Sequence, residues 1–383
     1  MKMKRIAILV NVIPHYRKDF YDRLFRDSHL DITVYCNPKV PNSSLKTIHF
    51  RYEKNIKILK SYFLLKESFV FTFLPWWEIV NDYDLVIVEA NPRYFSYFLL
   101  ATYMRLCRKN IALWTMVFSQ NNNNFLQRLR FFLLSFHNKF LVYSEKDLVF
   151  LKKIVPDNSI ILSVNNGLDQ HEIEKNILSW NQARIKVWRK ENGLKGRIIL
   201  LSCARLELKN HFIEIINILP EIIRIYPNVI LCIIGDGIEL VNLKKRVKDL
   251  GLNNHVKFLG AIHHEEKLAP WFLSSKLLIH PGSIGLSLFH SLGYGLPVIT
   301  HTNWKAHAPE FLAFKDKNKK FYFTENNFQE MQEVIIKQIK NISLNKRLIY
   351  QSRLFIKRKY NTSVMAERFF RFVSILTNEK KID

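Results

Sequence analysis

The stretch KLLIHPGSIGLSLFHSLGYGLPVIT, residues 276–300, decides how the rest of the chain is read. Its apolar start, Lys276 to His280, is a strand candidate, and Pro281, Gly282 and Ser283 then break the run. Gly285 and Leu286 open a helical segment, Gly293 and Gly295 are expected to stop it, and Pro297 to Thr300 reads as the next strand. A strand, a tight turn, a short helix and a second strand form one unit of a parallel sheet. The small residues let the backbone amides of Gly285 and Leu286 approach an anion, and the helix N-terminus adds a partial positive charge. Phosphate suits such a turn. His290 falls on a helix face able to meet a ribose, with a structural role as the plain alternative.

Working outward, the same alternation fills both halves. Strand candidates precede this stretch at Arg197 to Cys203, Val229 to Ile234 and Val256 to Leu259, with helices from about His211, Leu240 and Glu265. In the first half the strands fall at Arg5 to Val10, Asp31 to Cys36, Asp84 to Val88, Ile111 to Trp114, Phe140 to Tyr143 and Ile160 to Val164. Helical periods occupy Lys18 to Arg26, Tyr94 to Arg108, Phe125 to Phe136 and Glu145 to Lys153. Two doubly wound α/β domains follow from this order. The turn Asn165-Asn166-Gly167 and the polar segment Asp169 to Gly196 set their junction near residue 180. The expected division is 1–180, 181–360 and a terminal helical segment 361–383, whose Met365, Phe369, Phe370, Phe372 and Val373 need a face to cover them, the first domain being the candidate.

Composition narrows the class. The chain has 383 residues, 48% hydrophobic and 24% charged, which is the mix of a folded protein rather than a disordered one. No run of eighteen apolar residues spans a bilayer, and the apolar start Ile6 to Val12 runs into His15, Tyr16, Arg17 and Lys18 without a cleavage site, so it reads as a strand rather than a leader. Cys36, Cys107, Cys203 and Cys232 lack metal or disulfide spacing, and a reducing cytoplasm is the expected compartment. The net charge of +25 favours anionic partners. Basic residues number 25 against 16 acidic in 1–180, and 33 against 17 in 181–383. An excess spread through both halves is unlike a dedicated nucleic-acid module, and no nucleic-acid partner is expected.

Ligands of open parallel sheets sit at the carboxyl ends of the strands, so the loops leaving them come first. After Ala204 the chain reads Arg205-Leu206-Glu207-Leu208-Lys209. Arginine offers a planar fork of donors and lysine a mobile point charge, a pair suited to a diphosphate. After Ile234, Gly235-Asp236-Gly237 permits a tight strand-to-helix turn. In the first half, Glu89, Asn91 and Arg93 leave the end of one strand, and His15 and Arg17 follow another; turn chemistry around Pro92 is the plain alternative for the first three.

Taken in order, these loops resemble the retaining glycosyltransferases of family four, which have the GT-B fold of two Rossmann-like domains facing across a cleft. The resemblance rests on Ala204-Arg205-Leu206 with Lys209, on Gly235-Asp236-Gly237-Ile238-Glu239, and on Leu250-Gly251-Leu252 through Val256-Lys257-Phe258-Leu259-Gly260. Asn166-Gly167-Leu168-Asp169 and Ile13-Pro14-His15-Tyr16-Arg17 are similar to the family's junction and acceptor-side loop. It implies a donor-binding second domain in which Arg205 and Lys209 hold the diphosphate and stabilise it as it leaves, with Gly235, Gly282, Ser283, Gly285, Leu286 and His290 around the nucleotide sugar. It also implies an acceptor-binding first domain with His15, Arg17, Glu89, Asn91 and Arg93 as candidates. Family members usually carry two glutamates where this chain has Gly282 and His290, and the family's histidine after the next first-domain strand has no counterpart between Trp114 and Gln120.

The expectation is therefore a hexosyltransferase moving a sugar from a nucleotide donor to a glycan or polyprenyl-linked acceptor in bacterial surface polysaccharide synthesis, of capsule or O-antigen type. By resemblance it is retaining and needs no metal or cofactor, and Asp82-Tyr83-Asp84 reads as a strand opening rather than a metal signature. Lys60 to Trp77 and Phe125 to Lys139 mix aromatic and basic residues as interfacial helices do, which suggests attachment to the anionic inner face of the cell membrane. A sugar-nucleotide epimerase on the same fold and a non-catalytic basic module that binds membrane or nucleic acid are the alternatives.

Overall fold

A computed structural model describes residues 3–40, 46–48, 52–64, 69–117, 124–313, 319–341 and 346–378. They divide into two compact units, Met1–Asn166 with Thr362–Asp383, and Gly167–Asn361.

The first unit holds β1 (Lys4–Leu9), β2 (Leu30–Cys36), β3 (Ile56–Ile58), β4 (Ser61–Leu64), β5 (Phe69–Thr72), β6 (Leu85–Glu89), β7 (Ile111–Thr115), β8 (Lys139–Val142) and β9 (Ile160–Ser163). Seven of them form one parallel sheet in the order β3-β2-β1-β6-β7-β8-β9, while β4 and β5 make an antiparallel hairpin. Alternate residues serve opposite cores: Ala7, Leu9, Val86 and Val88 pack on one face, Ile6, Ile8, Leu85 and Ile87 on the other. Burial on both faces is why these strands read as continuous apolar runs. The helix Thr362–Asn378 presents Met365, Phe369, Phe372, Val373 and Leu376 to the second of these cores, where Phe369 meets Phe20 at 5.8 Å between ring centroids.

The second unit holds β10 (Ile198–Cys203), β11 (Val229–Ile234), β12 (Val256–Phe258), β13 (Leu277–Ile279), β14 (Val298–His301) and β15 (Tyr322–Phe323) in the parallel order β12-β11-β10-β13-β14-β15. Leu200, Leu231 and Ile279 serve one core and Leu201, Cys232 and Leu278 the other. Each sheet thus reverses its strand order beside its first strand, between β1 and β6 and between β10 and β13. That reversal leaves a crevice at the carboxyl ends of the paired strands.

Three expectations are corrected. The junction lies at 166/167 rather than near 180, because helix Gln170–Ser179 belongs to the second unit: Ile173 is in its core, and the Leu168 and Gln170 amides donate to the Tyr360 carbonyl and Asn361 Oδ1. Helix Leu286–Tyr294 continues through Gly293 and ends only at Gly295, whose left-handed φ of 77° closes it. Finally, Lys60 to Trp77 is not an interfacial helix. It forms the β4–β5 hairpin and the start of helix Trp76–Asn81.

Candidate functional site

Arg205 follows β10 in a loop that ends in the single turn Leu208–Asn210. The loop is closed by its own polar groups: Asn210, which is buried, donates from Nδ2 to the Arg205 carbonyl at 2.7 Å. His211 then takes a left-handed φ of 51° before helix Phe212–Ile225, a conformation that costs a residue with a Cβ about 1 kcal/mol or more. The loop rests on the Gly235–Gly237 turn. Leu206 donates to the Asp236 carbonyl at 2.9 Å, and a Cβ on Gly235, where φ is 150°, would collide with the Ala204 carbonyl oxygen. Gly235 therefore supports the Arg205 loop by close backbone approach.

Arg205 and Lys209 converge on a residue that sequence reasoning gave no role. Arg205 Nη1 lies 2.6 Å from Glu207 Oε1, and Lys209 Nζ lies 3.0 Å from Glu207 Oε2. The two cations remain 40% and 50% exposed. Ion pairs open to water are worth only about 0–1 kcal/mol, so Glu207 positions the cations without locking them away from another anion.

The Pro281–Gly285 turn packs against the same loop. The Ser283 amide donates to the Lys209 carbonyl at 3.3 Å, and a Cβ on Gly282 would strike that carbonyl and the Asn210 backbone. A glutamate has no room at position 282 while these two backbones touch. The turn is held from behind by His307, whose Nδ1 accepts the Ile284 amide at 3.1 Å while its Nε2 meets the His301 carbonyl at 2.8 Å. Those two contacts require the neutral tautomer with the proton on Nε2. Burial pushes His307 down to about 3 and His280 and His301 to about 4, which keeps the cluster uncharged at neutral pH. The turn delivers Gly285 and Leu286 to the start of helix Leu286–Tyr294, whose first amides lack intrahelical partners by construction.

His290 is placed differently from the simple ribose contact. Its Nε2 is 2.8 Å from Glu265 Oε1, its ring stacks on Phe272 at 4.4 Å, and its side chain is 14% exposed. Tyr294 donates to the same Glu265 oxygen at 2.5 Å. Glu265 also bears on Cys203 at the end of β10, where burial and this carboxylate push the thiol up to about 12. A carboxylate therefore does reach the helix position where the family has one, carried by the helix Glu265–Ser274 instead.

In the first unit the crevice between β1 and β6 holds Glu89, whose Oε2 accepts the Asn11 amide at 2.7 Å. Burial pushes this carboxyl above its ordinary range, against the pull of the Asn11 bond and the Arg17 guanidinium. Arg17 is buried, bonded to Met365 Sδ at 3.0 Å and set near the Tyr16 and Tyr143 rings. His15 is exposed in the short turn His15–Arg17. Asn91 is taken up by the turn before helix Phe95–Leu106, its Oδ1 accepting the Arg93 amide at 3.2 Å, and Arg93 points to solvent. Asp84 Oδ2 accepts the Arg5 amide at 2.8 Å beside β1. The stretch from Trp114 to Gln120 passes out of the described residues after 117.

Residues 184–355 match the model of glycosyl transferases group 1. An alpha-monoglucosyldiacylglycerol synthase of Streptococcus pneumoniae is 29% identical over 128 residues, which are 32% of this chain and 28% of that protein. The GtfA subunit of a UDP-N-acetylglucosamine–peptide N-acetylglucosaminyltransferase of Streptococcus agalactiae is 26% identical over 117 residues, 30% of this chain and 22% of that one. The matched stretches thus span about a quarter of these relatives. Along nearly its whole length the chain is similar in fold to Anabaena Alr3699/HepE, solved in complex with UDP, at a TM-score of 0.69 and 14% identity, with 97% of this chain and 100% of that one covered. Residues 184–355 are thus similar to the group 1 glycosyl transferases, in a chain whose fold is that of the GT-B structures it matches.

Proposed function

We propose that the chain is a glycosyltransferase that takes a nucleotide-sugar donor on its second unit. The observation that carries this reading is the meeting of Arg205 and Lys209 on Glu207, with the Lys209 backbone against the Gly282–Ser283 turn. A diphosphate that displaces Glu207 from the two cations gains charge-assisted bonds, and the start of helix Leu286–Tyr294 adds its partial charge.

The reaction breaks the bond from the anomeric carbon of the sugar to the diphosphate oxygen and forms one to an acceptor hydroxyl oxygen. The acceptor proton passes to the departing diphosphate, on the same face of the sugar in the retaining course that the family resemblance implies. Arg205 and Lys209 stabilise the negative charge gathering on the leaving group, and this reading needs no metal. Glu89 and Arg17, with His15 beside them, are the acceptor-side groups it assigns. The acceptor is a glycan or a polyprenyl-linked sugar at the inner face of a bacterial membrane, in surface polysaccharide synthesis. The Streptococcus pneumoniae relative, named for a glycosylated diacylglycerol, supports a lipid-linked acceptor.

Incubation with each common sugar nucleotide, UDP-sugars first, tests the reading through released nucleoside diphosphate. Release that depends on Arg205 supports it, and no release with any donor and acceptor pair overturns it. The Glu265–His290 pair supplies acid and base groups for the epimerase alternative. That reaction would return an epimerised sugar nucleotide and release no diphosphate.

A further inference from the structure

One surface of the first unit carries aromatic groups where strands over water carry polar ones. In β5, Val70 and Thr72 are buried while Phe69 and Phe71 face out, and Phe73 continues that outward row. Tyr62 of β4 stands opposite Phe71 in the hairpin register. Tyr62 and Phe71 each meet Phe73 edge to face, at 5.6 and 5.3 Å. The hairpin is pinned rather than loose: the Val70 amide donates to the Arg93 carbonyl at 2.7 Å and the Thr72 amide to Ser96 Oγ at 2.8 Å.

The aromatic row passes directly into Pro75, Trp76 and Trp77. Trp77 is 84% exposed, and Trp76 packs on Tyr103 at 5.8 Å. Tyr103 belongs to a second apolar row. Along helix Phe95–Leu106 the exposed Phe95, Leu99, Tyr103 and Leu106 recur at the spacing of one helix face, while Tyr97, Leu100, Ala101 and Met104 are buried. Leu106, at the far end, is 79% exposed. Hairpin, tryptophan pair and helix stripe make one continuous apolar surface.

Glu78, next to Trp77, is paired with Lys57, and the charges along helix Phe95–Leu106 and its flanks have one sign. Residues 91–110 contain Arg93, Arg105, Arg108 and Lys109 and no aspartate or glutamate, and Lys60 Nζ sits 5.5 Å from the Tyr62 ring centroid. A second copy of this chain would bring these cations against their own like, a costly juxtaposition in a protein of net charge +25. Tryptophan and tyrosine suit the boundary between lipid headgroups and acyl chains, and arginine and lysine suit lipid phosphates.

We propose that this surface docks on an anionic phospholipid bilayer, with Phe71, Phe73, Trp76, Trp77 and Leu106 entering the headgroup boundary and Lys60, Arg105, Arg108 and Lys109 meeting phosphates. It deepens the reading of a lipid-linked acceptor, yet its test uses no nucleotide, so either can fail without the other. The experiment mixes the full chain with phosphatidylglycerol–phosphatidylethanolamine vesicles and with phosphatidylcholine vesicles and measures co-sedimentation. Partitioning is expected to be about tenfold stronger on the anionic vesicles, to fall about tenfold in the double variant Phe73→Ser, Trp77→Ser, and to fall about threefold in Leu106→Ser. Unchanged melting and an unchanged circular dichroism spectrum would show that the variants remain folded. Equal partitioning on both vesicle types overturns the proposal, as does anionic binding untouched by all three substitutions. Loss of a dimer in the variants without any vesicle binding would overturn it in favour of a second copy.

Discussion

At the carboxyl ends of β1 and β6 the first unit places a carboxyl raised by burial and a buried arginine; at the corresponding ends of β10 and β13 the second unit places two exposed cations and a turn with no room for a side chain at Gly282. The two crevices arise from the same reversal of strand order. Strand order alone therefore sets where a ligand lies and leaves its chemistry to three or four loop residues. In the function proposed above, the first crevice takes the acceptor hydroxyl and the second takes the diphosphate.

The largest expected effect separates the two directly. Arg205→Ala should lower turnover by about a hundredfold, since it removes a charge contact that strengthens as the diphosphate leaves. Steady-state rates near those of the unaltered chain would take the cation role from Arg205. Glu207→Gln sharpens the same point, because the carboxylate only positions the cations and competes with the ligand; diphosphate affinity should hold or rise in a titration.

On the other side, Glu89→Gln should lower the transfer rate by about tenfold or more if the carboxylate accepts a hydrogen bond from the acceptor hydroxyl and orients it toward the donor. The raised pKa fixes the sign: activity that needs the carboxylate climbs with pH through a value above the ordinary glutamate range. The glutamine variant should lose that acid limb. A pH–rate profile with the limb intact would assign Glu89 to structure alone.

How much of this could be read from the chain depends on how local each signal is. β1, β10 and β11 are buried on both faces, so they appear as unbroken apolar runs, and the loops that follow them could be searched for cations in order. Arg205, Lys209 and Glu89 were found that way. The β4–β5 hairpin hid its period because its outer face is aromatic while its inner face mixes Phe63 and Val70 with the hydrogen-bonded Ser61 and Thr72, so the usual polar-out, apolar-in alternation is absent. The partners of the site were invisible for another reason. Glu265 reaches His290 across 25 positions, His307 holds Ile284 across 23, and Gly282 has its meaning only against Lys209 in a different loop. Pairings of that range belong to the folded chain.

Acid stability gives a milder contrast between the units. His280, His301 and His307 in the second unit are pushed by burial to about 4, about 4 and about 3, while the first unit has His137, pushed to about 4, against Glu89 and Asp147, both raised by burial. A histidine held below its unfolded value of about 6.5 binds fewer protons folded than unfolded, so its stabilising contribution is lost as pH falls from 6.5 toward 4. The raised carboxyls act in the opposite sense just above their ordinary range and so oppose His137. Each second-unit histidine should cost up to about 1.4 kcal/mol per pH unit there. Hydrogen exchange on the full chain, corrected for intrinsic rates, should show β13 and β14 losing protection between pH 6.5 and 5 before β1 and β6. Equal loss in both sheets would mean the histidine cluster is better solvated than its burial implies.

The smallest effect concerns His290. Glu265 takes its Nε2, so a ribose can be met only by the other nitrogen or by Glu265 itself. His290→Ala and Glu265→Gln should each weaken nucleotide binding by about three- to tenfold, the worth of one ordinary hydrogen bond. A 2′-deoxy nucleotide makes the comparison specific. Should the pair hold the ribose, the deoxy ligand binds the unaltered chain more weakly than the ordinary nucleotide does, while the two variants bind both ligands equally. Should the pair serve only to pack helix Leu286–Tyr294 on Phe272, both variants melt earlier and treat the two ligands as the unaltered chain does. The second result would leave the donor's ribose to backbone groups of the glycine turn and confine the chemistry of this crevice to its phosphate end.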